Sequence, residues 1–119
     1  MASLQPGHAV IDYEATEQRA NPMGTLHAGV LAAIADAATG MAYFSTLGEG
    51  ESFTTLEMKI SFLKPVWRAR LHAAGNVVKA GKTIGLVECD GTDEENRRVT
   101  RASSTCMTLW DDQARGQEI

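Results

Sequence analysis

The chain has few of the residues that mark specialised classes of proteins. Its 119 residues include only 2 cysteines, 3 prolines and 6% aromatic side chains. Cys89 and Cys106 have neither CxxC spacing nor the spacing of metal ligands. Two such thiols without a secretory segment fit a reducing compartment, so we expect a cytoplasmic protein in which both are small buried side chains.

An excess of positive charge is also lacking. The formal net charge is -4, and 22% of the residues are charged. A nucleic-acid-binding surface needs clustered basic residues, so we expect no nucleic-acid partner. With 44% hydrophobic residues, the composition is that of one globular domain over residues 1–119, with a polar tail from about residue 111.

The sequence has no segment that reads as a signal peptide or a membrane span. The opening "MASLQPGHAV" has no basic region followed by an apolar one. The run from Leu26 to Leu47 is long enough to cross a bilayer, but Ala, Gly and Thr dominate it and Asp36 lies near its centre. We expect a buried helix of a soluble protein there, and no membrane partner.

Hydrophobic periodicity predicts an α+β fold. An antiparallel sheet of about five strands accompanies one long helix, which begins at His27 or Ala28 and ends at Thr46. In "TTLEMKISFL", Leu56 and Met58 alternate with Thr55 and other polar residues, which predicts a half-buried strand. The predicted strands cover residues 8–16, 54–63, 67–80, 83–90 and 99–110.

Asp36 is the only formally charged residue between Arg19 and Glu49. At 100° per residue it lies opposite an apolar stripe of Leu31, Ile34, Ala38 and Met41, which should face the sheet. A solvated helix face would carry several charges, whereas a carboxylate facing a narrow apolar cleft suits a general base or a nucleophile. Its own face holds mostly small residues, namely Gly29, Ala32, Ala33, Thr39, Gly40 and the larger Tyr43.

The start of the helix provides a second candidate group. The N–H groups of a first helical turn have no intrahelical partner, and Ala28 and Gly29 carry almost no side chain. Their amides could therefore form an oxyanion hole. Ala28 precedes Asp36 by roughly 12 Å along the helix axis, so one carbonyl could meet both only if the helix start bends inward or the partners come from different chains.

The pattern Asn21-x-x-Gly24-x-x-His27-Ala28-Gly29 followed by Asp36 resembles the PaaI-like group of hotdog-fold acyl-CoA thioesterases. The resemblance continues through "TTLEMKISFLKPV" and "VVKAGKTIGLVECD". It implies a hotdog fold, in which the sheet wraps around the helix, and hydrolysis of aryl-, arylacetyl- or medium-chain acyl-CoA. Coenzyme A is then part of the substrate, and no separate cofactor or metal is expected.

The same resemblance implies roles for individual residues. Asp36 would be the catalytic carboxylate, and the Ala28 amide would be the oxyanion donor where the family commonly has Gly. His27 would hold the thioester end, Asn21 would position water or the carbonyl, and Thr55 would assist the water. Adjacent Thr54 makes this last assignment uncertain by one residue, because neighbouring positions of a strand face opposite sides.

The resemblance also implies contacts with coenzyme A and with a second subunit. Gly29, Lys82 and Thr83 are candidate substrate-binding residues, the last two on the "AGKT" turn, and Arg101 is a candidate near the CoA phosphates. The family assembles as homodimers or dimers of dimers with each site between two subunits. Asp36 of one chain would thus face Ala28 of the other.

Two other functions remain open at this point. A hotdog hydratase or dehydratase could pair His27 with Asp36, although the loop motifs of those enzymes are absent. A non-catalytic acyl-thioester binding protein is the other alternative.

Overall fold

The computed structural model describes residues 2–15, 28–66 and 69–110. Within them, one helix packs on a sheet in which every neighbouring pair of strands is antiparallel. This confirms the predicted α+β hotdog fold, but the sheet has six strands in the order β1-β2-β4-β5-β6-β3 instead of about five. The elements are β1 (Ser3–Gln5), β2 (His8–Ala15), α1 (Ala28–Phe44), β3 (Glu51–Phe62), β4 (Ala69–Ala80), β5 (Ile84–Thr92) and β6 (Arg98–Trp110).

The additional strand is β1, which forms a hairpin with β2. The turn is Pro6-Gly7, and Gly7 has a φ of 78°, a left-handed conformation that glycine adopts without strain. Proline followed by glycine is a strong turn signal. That dipeptide marked the hairpin, but three residues are too few to show an alternating pattern.

The helix begins as predicted and ends two residues earlier, at Phe44. After it, the amide of Thr46 donates to the Tyr43 carbonyl and the amide of Leu47 to the Phe44 carbonyl, both at 3.0 Å. These bonds reach back three residues instead of four, so the chain leaves the α-helical path in a tighter turn.

The buried residues of the helix extend beyond the predicted apolar stripe. Leu31 and Ala38 are buried as expected, whereas Ile34 and Met41 are only half-buried. Thr39, Gly40 and Tyr43, which the helical wheel places on the face of Asp36, are buried as well. The physical reason is that the sheet covers α1 from several sides, since the helix contacts all six strands.

The closest approach between helix and sheet is at Gly75 of β4. A Cβ atom on Gly75 would lie 2.5 Å from the backbone oxygen of Ala38. Only glycine lets the strand pass the helix at this distance. The contact between Gly75 and Ala38 therefore fixes the middle of α1 against the inner side of the sheet.

No helix among the described residues is long and apolar enough to cross a membrane. Trp67, with which the predicted third strand begins, lies outside the described part of the chain, as do Thr16 and the tail after residue 110.

Candidate active site

Asp36 lies in the middle of α1 and is exposed. Across residues 2–15, 28–66 and 69–110, its carboxylate finds no hydrogen-bond or ion-pair partner. The prediction that it avoids the core-facing stripe is confirmed. The described residues of a single chain, however, leave it exposed and do not enclose it in the predicted narrow apolar cleft.

A β-bulge at Leu56 brings Thr55 onto the same side of the sheet as the helix. Thr55 is paired with Cys106, but the next pair in register is Glu57 with Thr105, so Leu56 is an extra residue. The bulge reverses the alternation: Thr55 and Met58 both point inward, and Leu56 is 53% exposed. The predicted strict alternation was wrong here, and of the two threonines Thr55 is the one that faces the helix.

Cys106 is the cross-strand partner of Thr55, and the charge of Asp36 acts on its thiol. Its thiol is fully buried and hydrogen-bonded with the Thr55 hydroxyl. Burial raises the pKa of Cys106, the hydrogen bond with Thr55 lowers it, and the negative charge of Asp36 raises it. Thr55 and Cys106 are thus cross-strand neighbours on the inner side of the sheet, and the charge of Asp36 acts on the Cys106 thiol. The sequence did not identify Cys106 as a neighbour of the site, because that position follows only from the pairing of β3 with β6.

The helix start carries the candidate oxyanion donors. Ala28 is the first residue of α1, and both Ala28 and Gly29 are exposed. Asp36 follows Ala28 by eight positions in the helix, which is about 12 Å along the axis. Within one chain these groups cannot hold the same carbonyl. Asn21 and His27, the other two predicted site residues of this segment, lie outside the described residues.

Of the predicted CoA-contacting residues, Lys82 and Arg101 lie on the outer side of the sheet. Lys82 is exposed and Thr83 half-buried on the turn between β4 and β5, where the Thr83 carbonyl accepts a 2.7 Å hydrogen bond from the amide of Thr108. An open groove of about 480 Å³ runs beside this turn. Its lining is Lys79, Gly81, Lys82, Ile84, Gly85, Leu86 and Thr105.

Arg101 is engaged in ion pairs on the same outer side. Its guanidinium donates to both carboxylate oxygens of Asp90 at 2.9 Å and to Glu88 at 2.7 Å. The hydrogen bond and the charge of Asp90 raise the pKa of Arg101. In the single chain Arg101 and Lys82 are thus separated from Asp36 by the sheet.

Metal-binding residues are not clustered in the part of the chain that the structure describes. No three His, Cys, Asp or Glu side chains there are grouped closely enough to hold an ion. His8 instead forms a 2.5 Å hydrogen bond with Asn76, and His72 contacts Asp12.

Residues 23–100 match the sequence model of the thioesterase superfamily. This segment contains the whole of α1, β3, β4 and β5. The chain belongs to the thioesterase superfamily and is a thioester hydrolase.

Known proteins with similar sequences or structures are consistent with this membership. Human acyl-coenzyme A thioesterase 13 is 27% identical over 83% of this chain and 71% of its own length. A Streptococcus mutans protein crystallised with acetyl CoA has a TM-score of 0.85 at 26% identity, covering 92% of this chain and 87% of that one. The PaaI protein of the E. coli phenylacetic acid degradation operon has a TM-score of 0.82 at 25% identity, covering 87% and 74%.

Proposed function

We propose that this protein is an acyl-CoA thioesterase that hydrolyses aryl-, arylacetyl- or medium-chain acyl-CoA to the free acid and coenzyme A. The observation that carries the proposal is the exposed Asp36 carboxylate on the same inner side as the Thr55 hydroxyl. The names of similar proteins support the class of substrate, since they include an acyl-coenzyme A thioesterase and a protein bound to acetyl CoA.

The proposed reaction uses Asp36 as a general base. A water molecule held by Thr55 attacks the thioester carbonyl carbon, and its proton passes to the Asp36 carboxylate. The carbonyl oxygen becomes an oxyanion that accepts a hydrogen bond from the Ala28 amide at a helix start. The C–S bond then breaks, and the proton goes from Asp36 to the CoA sulfur.

Direct attack by Asp36 as a nucleophile is the other route to the same products. The carboxylate would form an anhydride with the acyl group and release CoA, and water would then hydrolyse the anhydride. Both routes need no cofactor besides the CoA that the substrate carries. Asn21 and His27 are the proposed supports for the water and the thioester, and Gly29, Lys82, Thr83 and Arg101 are the proposed contacts with coenzyme A.

The site is proposed to form between two copies of the chain. Among the described residues, the 12-residue strand β3 is at one edge of the sheet and has a neighbouring strand, β6, on one side only. A long free edge is a ready template for another strand, and pairing it with the β3 of a second copy would satisfy its backbone groups. Such a dimer, or a dimer of dimers, would bring Ala28 of the second copy to Asp36 and enclose the carboxylate.

Product identification with a panel of CoA thioesters tests the proposed function. The panel contains aryl-, arylacetyl- and straight-chain acyl-CoAs and one enoyl-CoA, and free thiol and free acid are measured by chromatography. We expect equal amounts of CoA and acid from at least one class of substrate. Loss of the enoyl absorbance without thiol release would indicate a hydratase instead, and binding without any product would indicate a non-catalytic binding protein.

A further inference from the structure

A buried pair of hydroxyl groups joins strand β6 to the helical turn that carries Asp36. The side chain of Thr39 is 0% exposed and that of Ser104 is 1% exposed. The Ser104 hydroxyl donates to the Thr39 hydroxyl at 3.2 Å. The Thr39 hydroxyl in turn shares its one proton between the backbone oxygens of Ala35 at 3.0 Å and Asp36 at 3.1 Å. A continuous path of hydrogen bonds thus runs from β6 to the backbone of Asp36.

Thr39 is an unusual choice for the buried face of this helix. The other buried residues of α1 are Leu31, Tyr43, Gly40 and three alanines. A buried hydroxyl brings a desolvation cost that an alanine avoids, and Thr and Ser are weaker helix formers than Ala. A threonine that bonds back to earlier carbonyls also bends a helix slightly. If this position served only for packing, a small apolar residue would therefore fill it equally well.

Strand β6 also contacts the second candidate group, Thr55 of β3. Cys106 is two residues after Ser104, so both side chains point to the inner side of β6, and Cys106 is the partner of Thr55. Ser104 therefore contacts the turn of Asp36 while Cys106 contacts Thr55. One strand fixes the spacing between the two groups that the proposed reaction brings to one water molecule.

We propose that Thr39 and Ser104 are positioning residues for Asp36, which hold its helical turn at a fixed distance from Thr55. This inference rests on the proposed function, because the position of Asp36 matters only if its carboxylate reacts. Thr39 and Ser104 do not touch the substrate; they act through the backbone of the turn. Loss of the hydrogen bonds would let the turn shift, and a shift of about 1 Å at a reacting group can reduce a rate about 100-fold.

The test compares variants that remove one hydroxyl at a time. Thr39→Val removes the hydroxyl but keeps the shape of the side chain, and Ser104→Ala removes the hydroxyl of its partner. Thr39→Ser keeps the hydroxyl and removes only the methyl group. The matched control is Thr108→Val, because Thr108 is also a buried residue of β6 that bonds to α1, through a 2.6 Å contact with the Tyr43 hydroxyl. That contact is seven residues beyond Asp36 along the helix.

We expect Thr39→Val and Ser104→Ala to lower kcat about 10- to 100-fold. KM should stay within about twofold of wild type, since the lost interaction concerns the chemical step. Thr39→Ser should retain most of the wild-type kcat. Thr108→Val should be less stable in urea, with kcat within about twofold of wild type. If Thr39→Val does not fold, Ser104→Ala with the Thr108→Val control decides the question.

If turnover depends on Asp36, two results would overturn this inference and leave the proposed function standing. One is a wild-type kcat in folded Thr39→Val and Ser104→Ala. The other is a loss of kcat in Thr108→Val as large as in those two, which would make the effect one of general stability. A wild-type protein that hydrolyses no thioester, or an Asp36→Asn variant at wild-type rate, would overturn the proposed function and this inference with it.

Discussion

At the residue scale, burial determines the chemistry of the two thiols. Cys89 is 1% exposed and packs among the alanines where α1 crosses the sheet. Burial, with a smaller effect from the charge of Asp90, raises the pKa of Cys89 to about 12. The folded protein therefore retains the thiol proton at a pH where the unfolded chain has lost it.

The Cys89→Ala variant tests this consequence for stability. Between pH 9 and 11 the unfolded state binds fewer protons, so the free energy of unfolding of the wild type should decrease as the pH rises, by up to about 1.4 kcal/mol per pH unit from this group. We expect a shallower decrease for Cys89→Ala in urea unfolding at several pH values. Val87→Ala, a change at another fully buried position, should lower stability without changing the slope. Equal slopes in all three proteins would contradict the account.

The residues of the candidate site were predictable to different degrees. The position of Asp36 away from the apolar stripe could be predicted from the helical periodicity, whereas its catalytic role stays a prediction. Thr55 could not be separated from Thr54, because the bulge at Leu56 changes which residues face inward. Cys106 could not be placed next to Thr55 at all, since their contact depends on strand register over about 50 residues of chain.

At the element scale, the close crossing of β4 and α1 at Gly75 fixes the helix on the sheet. A Cβ at this position would meet backbone atoms of Ala38 at 2.5 and 2.8 Å, and backbone cannot move aside as a flexible side chain can. The buried alanines Ala35 and Ala38 on the helix side permit the same short distance. The position of Asp36 along the sheet thus depends on a glycine that contacts no substrate.

Gly75→Ala is expected to destabilise the fold by about 2–3 kcal/mol, because helix and strand must separate. Gly48→Ala provides the control: the nearest atom to its added Cβ would be a Glu51 carboxylate oxygen at 3.4 Å, at the end of a flexible side chain. Its effect should stay within about 1 kcal/mol. Urea unfolding followed by circular dichroism measures both. A Gly75→Ala protein as stable as Gly48→Ala would show that the crossing tolerates a side chain.

Periodicity located the helix and the four long strands because each is longer than the period that identifies it. The helix end differed by two residues, since tight hydrogen bonds at Thr46 and Leu47 follow the last α-helical turn. The strand β1 was missed because it has only three residues. The bulge in β3 was missed because an extra residue leaves the alternation of residue types unchanged while it reverses the side on which they lie.

At the scale of the whole molecule, the two edges of the sheet differ greatly. One edge is the three-residue β1 and the other is the 12-residue β3. A short edge strand discourages pairing with other chains, whereas a long one invites it. In an antiparallel pair about a twofold axis, the middle of β3 would lie opposite itself, which places the exposed Leu56 of one copy near that of the other.

Leu56→Asp should therefore weaken self-association, because the substitution brings two carboxylates into the proposed interface. We expect the wild type to sediment at twice or four times the mass of the chain, and the variant to have a dimer dissociation constant raised about tenfold or more. Leu4→Asp is the control, since Leu4 is 47% exposed on β1 at the opposite edge. A monomeric wild type, or equal effects of both substitutions, would contradict the proposed β3 interface.

The role of Asp36 as the reacting carboxylate is the central claim, and kcat/KM of the Asp36→Asn variant tests it most directly. The best substrate of the panel is used, with circular dichroism to verify the fold. Asp12→Asn is the matched control, because Asp12 is also an exposed carboxylate but lies on the outer side of the sheet beside His72. We predict a loss of at least about 100-fold for folded Asp36→Asn and no loss for Asp12→Asn. A folded Asp36→Asn protein that turns over substrate at the wild-type rate would contradict the account.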